Sequence, residues 1–425
     1  MPLTDVLERL YARRRFGIKP GVDRVVKLLE RLGNPEKQFR TIHVVGTNGK
    51  GSTSSFLASI LLNSGRTAAQ FSSPHLTSFT ERFRINGKEY SADKLANRLD
   101  IVLNAAPEEA TFFEITTALA AYIFCEERVE LAVMEAGMGG RSDATAAFDG
   151  ELTIITQIAL DHTEYLGANL TEIALEKSGI VKPGTAVVCA EQPDTVRIAV
   201  EELCKSRSCE LRSLGRDFTV LWNSDRTLEY RGMNMSLARL APGIAGRYQS
   251  MNAAVALAAA EILASSGADI SASAFREGIA TTCWPGRMEL IPGIPRLLLD
   301  GAHNPAGAAA LAEALQDYSY SRLFLVTGVC DDKDIEQIYE PLLPLVDNIY
   351  TVTPAVDRGM KDVALSRFFQ TKGIESEACG SVKEGISRAR NVAGECDLIL
   401  VCGSLFVVGE AKAWLEHVPY NGIRG

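Results

Sequence analysis

The chain has 425 residues, 46% hydrophobic and 23% charged, which excludes a disordered protein and gives length for two or three packed domains. With 44 Lys+Arg against 53 Asp+Glu, the formal net charge is −9, which argues against a general nucleic-acid binder. Nine cysteines without a Cys-x-x-Cys pair fit free thiols in a reducing compartment, not a disulfide framework or a zinc knuckle.

In chain order, Val6, Leu7 and Leu10 mark a first helix, and Val22, Val25, Val26, Leu28 and Leu29 a second that ends near Gly33. Thr41–Val45 reads as a strand, followed by a glycine loop and a helix carrying Phe56, Leu57, Ile60 and Leu61. Leu131–Glu135, Leu152–Ile158 and Ala186–Ala190 are further strands. Their uninterrupted apolar runs predict a largely parallel sheet covered on both faces. Residues 204–240 are more polar and β-like, without a place in this pattern, and an Ala-rich helix is expected over Ser250–Ser265. Beyond Cys283-Trp-Pro-Gly286 the alternation restarts. Strands Leu297–Asp300, Leu323–Thr327, Ile349–Thr353 and Leu398–Cys402 interleave with helices Ala306–Leu315 and Leu405–Val418, predicting a second, smaller α/β domain. The N-terminus has no apolar run of signal-peptide length and no stretch approaches a membrane span, so a cytoplasmic protein with no membrane partner is expected.

The strongest local signal is Val44-Val-Gly-Thr-Asn-Gly-Lys-Gly-Ser52 between a strand and a helix. Successive backbone N–H groups in such a loop wrap phosphate oxygens, and the helix N-terminus adds a favourable dipole. Lys50 supplies a point charge to the outer phosphates and the Ser52 hydroxyl a ligand for Mg²⁺. The spacing departs from GxxxxGK[ST], since two residues separate Gly46 from Gly49 and Gly51 precedes Ser52. No guanine-reading NKxD is present, which favours ATP.

This loop resembles that of the Mur ligase superfamily, specifically the folylpolyglutamate synthase and dihydrofolate synthase family. The resemblance continues through Ser72-Ser-Pro-His-Leu76, Glu81-Arg-Phe-Arg-Ile85, Phe113-Glu-Ile115, Glu135-Ala-Gly-Met-Gly-Gly-Arg-Ser-Asp-Ala-Thr145, Ala159-Leu-Asp-His162, Glu176-Lys-Ser-Gly-Ile180, Trp284-Pro-Gly-Arg287, Asp300-Gly-Ala-His-Asn-Pro305 and Gly403-Ser404, in the family's order over nearly the whole chain. One departure is Ala146, where the family usually has Asn. The resemblance implies an α/β protein with an N-terminal P-loop nucleotide-binding domain (1–283, mostly parallel sheet) and a smaller Rossmann-like C-terminal glutamate ligase domain (287–425). It implies ATP-dependent, ADP-forming addition of L-glutamate to dihydropteroate or tetrahydrofolate polyglutamates through an acyl phosphate, by a monomer with small-molecule substrates only.

The same resemblance assigns residues. Thr47, Asn48, Gly49, Lys50, Gly51 and Ser52, with Asn252, Arg287 and Asp300, are expected around ATP, and Ser52, Ser73, Glu135 and His162 around Mg²⁺. Glu135 ends a strand, where ligands gather in open α/β sheets. By softness alone imidazole is an unusual Mg²⁺ ligand, and a capping or surface role for His162 stays open. Lys177 is implied to be carbamylated by CO₂, which needs a neutral amine and so a lowered pKa; the alternative is a solvated helix lysine. Lys50, Lys177, Asp300 and His303 are the implied catalytic set, with His303 and Ser404 toward glutamate. Gly-Arg-x-Asp at 140–143 looks like the bifunctional bacterial enzymes. Asp143 could then bond the pterin and Phe113 stack on it; otherwise Asp143 caps a turn and Phe113 is core. The rival readings are a P-loop small-molecule kinase, another Mur-type amino-acid ligase and a nucleotide-binding regulatory module.

Overall fold

The computed structural model describes residues 2–13 and 21–422. Eight strands form the first sheet: β1 (Arg40–Val45), β2 (Ala68–Phe71), β3 (Phe83–Ile85), β4 (Lys88–Glu89), β5 (Leu131–Glu135), β6 (Gly150–Ile155), β7 (Ala186–Cys189) and β8 (Glu210–Ser213). Their spatial order is β4-β3-β2-β5-β1-β6-β7-β8. From β2 to β8 every pairing is parallel, while β3 and β4 form an antiparallel edge.

The apolar runs arise because successive side chains of a strand point to opposite faces. Leu131 and Val133 join Ile42, Val44, Leu152 and Ile154 against helices Lys50–Asn63, Gln249–Ser265 and Ala272–Thr281. Ala132 and Met134 face the other way, toward helices Ala92–Ala105 and Phe112–Glu126. On one face a glycine sets the fit. A Cβ on Gly278 would lie 2.5 Å from Ile60 Cα, so helix Ala272–Thr281 packs directly on helix Lys50–Asn63.

Residues 204–240, unplaced by the sequence pattern, finish helix Asp194–Ser206, supply β8, and then form an antiparallel three-stranded sheet of β9 (Thr219–Trp222), β10 (Leu228–Arg231) and β11 (Ser236–Leu240). Leu228, Tyr230, Leu237 and Leu240 are its buried side, packed with helix Gln249–Ser265. Tyr230 Oη and Asn234 N both donate to Glu261 on that helix, each at 2.7 Å.

The remaining sheet contains β12 (Glu289–Ile291), β13 (Arg296–Leu299), β14 (Leu323–Thr327), β15 (Asn348–Thr351), β16 (Ser376–Ala378) and β17 (Leu398–Cys402), in the order β12-β13-β17-β14-β15-β16. Only β12 is antiparallel. Several expected boundaries shift by one or two residues, and two by three. β6 ends at Ile155, not Ile158, because the Gln157 carbonyl turns to accept Thr47 N and Asn48 N at 2.9 and 3.1 Å. Helix Leu405–Leu415 stops short of Val418, where His417 takes a left-handed φ of 57°.

Candidate active site

The carboxyl ends of both parallel sheets open on one cavity of about 1920 Å³, the position where ligands bind in open α/β sheets. Its lining includes all the sequence-predicted site residues. They come from segments as distant in the chain as Thr47 and Ser404, brought together only by the fold.

The phosphate loop leaves β1 and runs into helix Lys50–Asn63. Gly49 has φ 86°, and a Cβ there would lie 2.3 Å from Asn252 Oδ1, so both backbone and space demand glycine. Thr47 Oγ1 donates to Ala159 O and accepts from Ala159 N, each at 3.1 Å, pinning the loop to the segment before Asp161. Lys50 Nζ donates to Thr47 O at 3.2 Å, folded back over its own loop. Asn252 Nδ2 donates to Gln249 Oε1 at 2.8 Å.

Glu135 closes β5 and is buried, with its Oε2 lacking a hydrogen-bond partner among the described residues. Burial raises its pKa to about 7, against the opposing pull of Lys50, Arg287 and the Ser73 amide. Lys177, on helix Leu170–Ser178, is 4% exposed. Burial, aided by repulsion from Lys50, lowers its pKa to about 7; it is therefore not a solvated lysine. Among the described residues no three His, Cys, Asp or Glu side chains form a ready-made metal cluster. The candidate metal set instead combines one carboxylate, hydroxyls and one imidazole. The orphaned oxygen of Glu135, facing two cations, fits a missing hard cation.

Asp143 is a turn cap. Its Oδ1 accepts Thr145 N and Oγ1 at 3.0 and 2.6 Å, and Oδ2 accepts Met138 N at 2.9 Å. The Gly137 amide also faces this carboxylate, which is buried and lines the cavity. Phe113 is half-buried, 5.9 Å from the Phe71 ring, and also lines the cavity. Ala146 lies outside that lining.

The C-terminal bank is tightly wired. Asp300 is buried; its Oδ2 accepts Tyr248 Oη at 2.8 Å and Met288 N at 2.9 Å, and its Oδ1 accepts Ala302 N at 2.9 Å. Burial raises its pKa against the pull of Arg287. His303 Nδ1 faces Gly301 O at 2.8 Å, so that nitrogen carries the hydrogen, and burial lowers its pKa to about 4. Ser404 caps helix Leu405–Leu415, accepting Val407 N at 3.3 Å.

Sequence reasoning missed one of the groups that join the two banks. Asp161 lies at 2.8 Å from Lys333 Nζ, 3.8 Å from His303 Nε2 and 3.9 Å from His162 Nε2. Burial alone would raise its pKa, but His303, His162 and Lys333 together hold it well below the usual carboxylate range. Asp161 stood inside a motif already singled out, next to His162; Lys333, in Cys330-Asp-Asp-Lys-Asp334, carried no local signal.

The chain is similar to known proteins over nearly its whole length. The Mur ligase middle domain matches residues 44–260, and the Mur ligase glutamate ligase domain matches residues 286–405. The chain is 33% identical to the dihydrofolate synthase/folylpolyglutamate synthase of Bacillus subtilis over 97% of this chain and 99% of that protein. It spans 50% of the length of a Halobacterium salinarum relative, a probable bifunctional folylpolyglutamate synthase/dihydropteroate synthase, at 32% identity over 94% of this chain. Escherichia coli FolC in complex with DHPP and ADP matches with TM-score 0.90 at 30% identity, covering 98% of both chains. The Yersinia pestis bifunctional folylpolyglutamate synthase/dihydrofolate synthase complexed with AMPPNP and Mn ion matches with TM-score 0.87 at 29% identity, also over 98% of both. The chain belongs to the dihydrofolate synthase/folylpolyglutamate synthase family of Mur ligases, which are ATP-dependent glutamate ligases.

Proposed function

We propose that this chain joins L-glutamate to the carboxylate of dihydropteroate and of a reduced folate, forming ADP and phosphate. The observation that carries the reading is the meeting, in one cavity, of a phosphate loop, the partnerless buried Glu135 and a second bank bearing Arg287 and His303. A carboxylate cannot expel O²⁻. Its oxygen therefore attacks the γ-phosphorus of ATP and ADP departs; the glutamate nitrogen then attacks the acyl carbon, phosphate leaves and the amine loses a proton.

This chain's residues divide those tasks. Residues 1–283 form the nucleotide unit and 287–425 the glutamate unit. The loop amides of Thr47–Ser52 and the Lys50 ammonium hold the phosphates, with Asn252 beside the nucleotide. Arg287 reaches the γ-phosphate from the opposite bank, where charge develops during transfer. Asp300 positions the Gly301–His303 turn and Arg287 rather than touching the reacting atoms. The Ser404 hydroxyl accepts from Val407 N and keeps its own hydrogen to donate to a glutamate carboxylate, with His303 beside it. Phe113 and Asp143 receive the pterin. Mg²⁺ would be held by Glu135, Ser52, Ser73 and His162, and when bound it neutralises phosphate charge.

Lys177 reacts with CO₂ through its neutral amine, giving a carbamate and releasing one proton. Its support is the burial that leaves the amine half neutral near pH 7. Purified protein with Mg-ATP, labelled glutamate and either dihydropteroate or tetrahydrofolate should give ADP and phosphate only when acceptor and glutamate are both present. A stable phosphorylated acceptor would instead identify a kinase, and the absence of substrate-dependent turnover a module without this chemistry.

A further inference from the structure

Two asparagines join the phosphate loop to the opposite bank. Asn48, in the phosphate loop, donates from Nδ2 to Asn304 Oδ1 at 3.2 Å, and Asn304 Nδ2 donates back to Asn48 Oδ1 at 2.9 Å. The residues are 256 positions apart. Asn304 is 2% exposed and is also the N-cap of helix Pro305–Leu315, accepting Gly307 N on the same Oδ1 at 2.8 Å.

The cap fixes which way the Asn304 amide faces. Its Oδ1 has two lone pairs, and Gly307 N and Asn48 Nδ2 take both. A flipped amide would set NH₂ against the Gly307 N–H and lose the cap. With Asn304 fixed, Asn48 has one orientation that matches it, nitrogen to oxygen and oxygen to nitrogen. The pair is therefore a keyed contact between the phosphate loop and the residue following His303.

We infer that Asn304 is a positioning residue for the ligase reaction, holding the His303 turn in register with the phosphate loop through Asn48. This rests on the ligase reading above. Asn304 needs no contact with substrate in this role. It sets the distance across which the acyl phosphate, made at the loop, meets the amine on the other bank, and such distances govern rate steeply.

Asn304→Asp and Asn304→Ser separate the two duties, because both residues cap helices well, while Asp lacks a donor for Asn48 Oδ1 and Ser lacks the reach. Each variant is expected to keep its thermal midpoint and bind ADP within about twofold of the parent, while turnover falls by about tenfold or more. Adding Asn48→Ala to Asn304→Ser should cost no more turnover than Asn48→Ala alone, since the two share one contact. In the parent protein ADP should slow hydrogen exchange at residues 300–307, and in Asn304→Ser it should not. Turnover within about twofold of the parent, ADP affinity falling in step with turnover, or additive losses in the double variant would each overturn the role. If the parent protein makes no glutamate adduct at all, the ligase reading fails, and the exchange experiment still decides whether the loop and the His303 turn are coupled.

Discussion

On the bank built by the eight-stranded sheet, Glu135 leaves an oxygen without a partner and the Lys177 ammonium makes no hydrogen bond or ion pair among the described residues. On the bank built by the six-stranded sheet, Asp300, His303 and Ser404 all bond to nearby backbone. Both banks bury ionisable groups, and burying a charge without compensation is costly. The first bank carries that cost in the unliganded protein, and nucleotide, metal and carbamate would remove it. The second has its polar groups satisfied by protein donors and acceptors, Tyr248 of the first unit among them, and acts by holding geometry. Substitutions on the first bank should therefore strike chemistry hardest, and substitutions on the second should divide their effects between stability and binding.

The largest loss is expected for Lys50→Ala. Lys50 is the cation within the loop, and removing one group that stabilises transition-state charge typically lowers turnover by about 10²–10³-fold. Steady-state kinetics with circular dichroism checks it; a folded variant with near-parental turnover would break the comparison at its strongest point.

Next come Glu135→Gln and Lys177→Met, which test the buried charges directly. Glu135→Gln should lower turnover about 100-fold and raise the Mg²⁺ concentration needed for half-maximal activity. Stability of the unliganded protein gives a second readout. Glu135 titrates near 7 in the fold instead of 4.5, so between those values the folded state holds a proton that the unfolded chain has released. Rising pH then lowers stability, by up to about 3 kcal/mol. Lys177 titrates near 7 instead of 10.5, so above pH 7 the unfolded chain binds more protons and rising pH restores stability. The unliganded protein should have a stability minimum near pH 7. Glu135→Gln should flatten its acid side and Lys177→Met its alkaline side, measured as thermal midpoints from pH 4.5 to 10. A parent profile without that dip would contradict the burial of both charges.

How much of this was readable in advance differs between the banks for the same reason. The phosphate loop is one contiguous segment whose glycines, lysine and flanking strand and helix announce themselves, and uninterrupted apolar runs such as Leu131–Glu135 give parallel strands directly. The β-like composition of 204–240 was visible, but its place was not, because Leu228 and Tyr230 are buried by a helix that begins at Gln249. The Asp161–Lys333 pair was illegible because its partners are 172 residues apart and each is an ordinary surface residue type. Asp143 shows the limit of a motif: its cap bonds depend on Met138 and Thr145 coming back to it, which the string Gly-Arg-Ser-Asp does not reveal.

Asp161→Asn removes one ion pair between the banks while keeping the side chain's shape. It leaves Lys333, only 14% exposed, without its counter-charge, and removing one member of a buried pair costs about 3 kcal/mol. A lower thermal midpoint, with domain separation seen as faster proteolysis near Trp284–Gly286, is the expected result. An unchanged midpoint would mean that the banks meet without needing this pair.

The smallest effect is expected at Ser404, and it separates positioning from binding on the second bank. Ser404→Ala removes a helix cap, worth about 1 kcal/mol, and with it the one hydroxyl proposed to donate to glutamate, a bond worth about 0.5–1.5 kcal/mol. KM for glutamate should rise about 2–10-fold with kcat and the KM for ATP nearly unchanged. Ser404→Asp distinguishes the two contributions. Aspartate caps as well as serine, so the stability lost in the alanine variant should return. Its carboxylate would face the glutamate carboxylate, so KM should rise further than in Ser404→Ala. If Ser404→Asp restores both stability and the glutamate KM, the hydroxyl is a cap alone, and glutamate is held on this bank by His303 and its neighbours without Ser404.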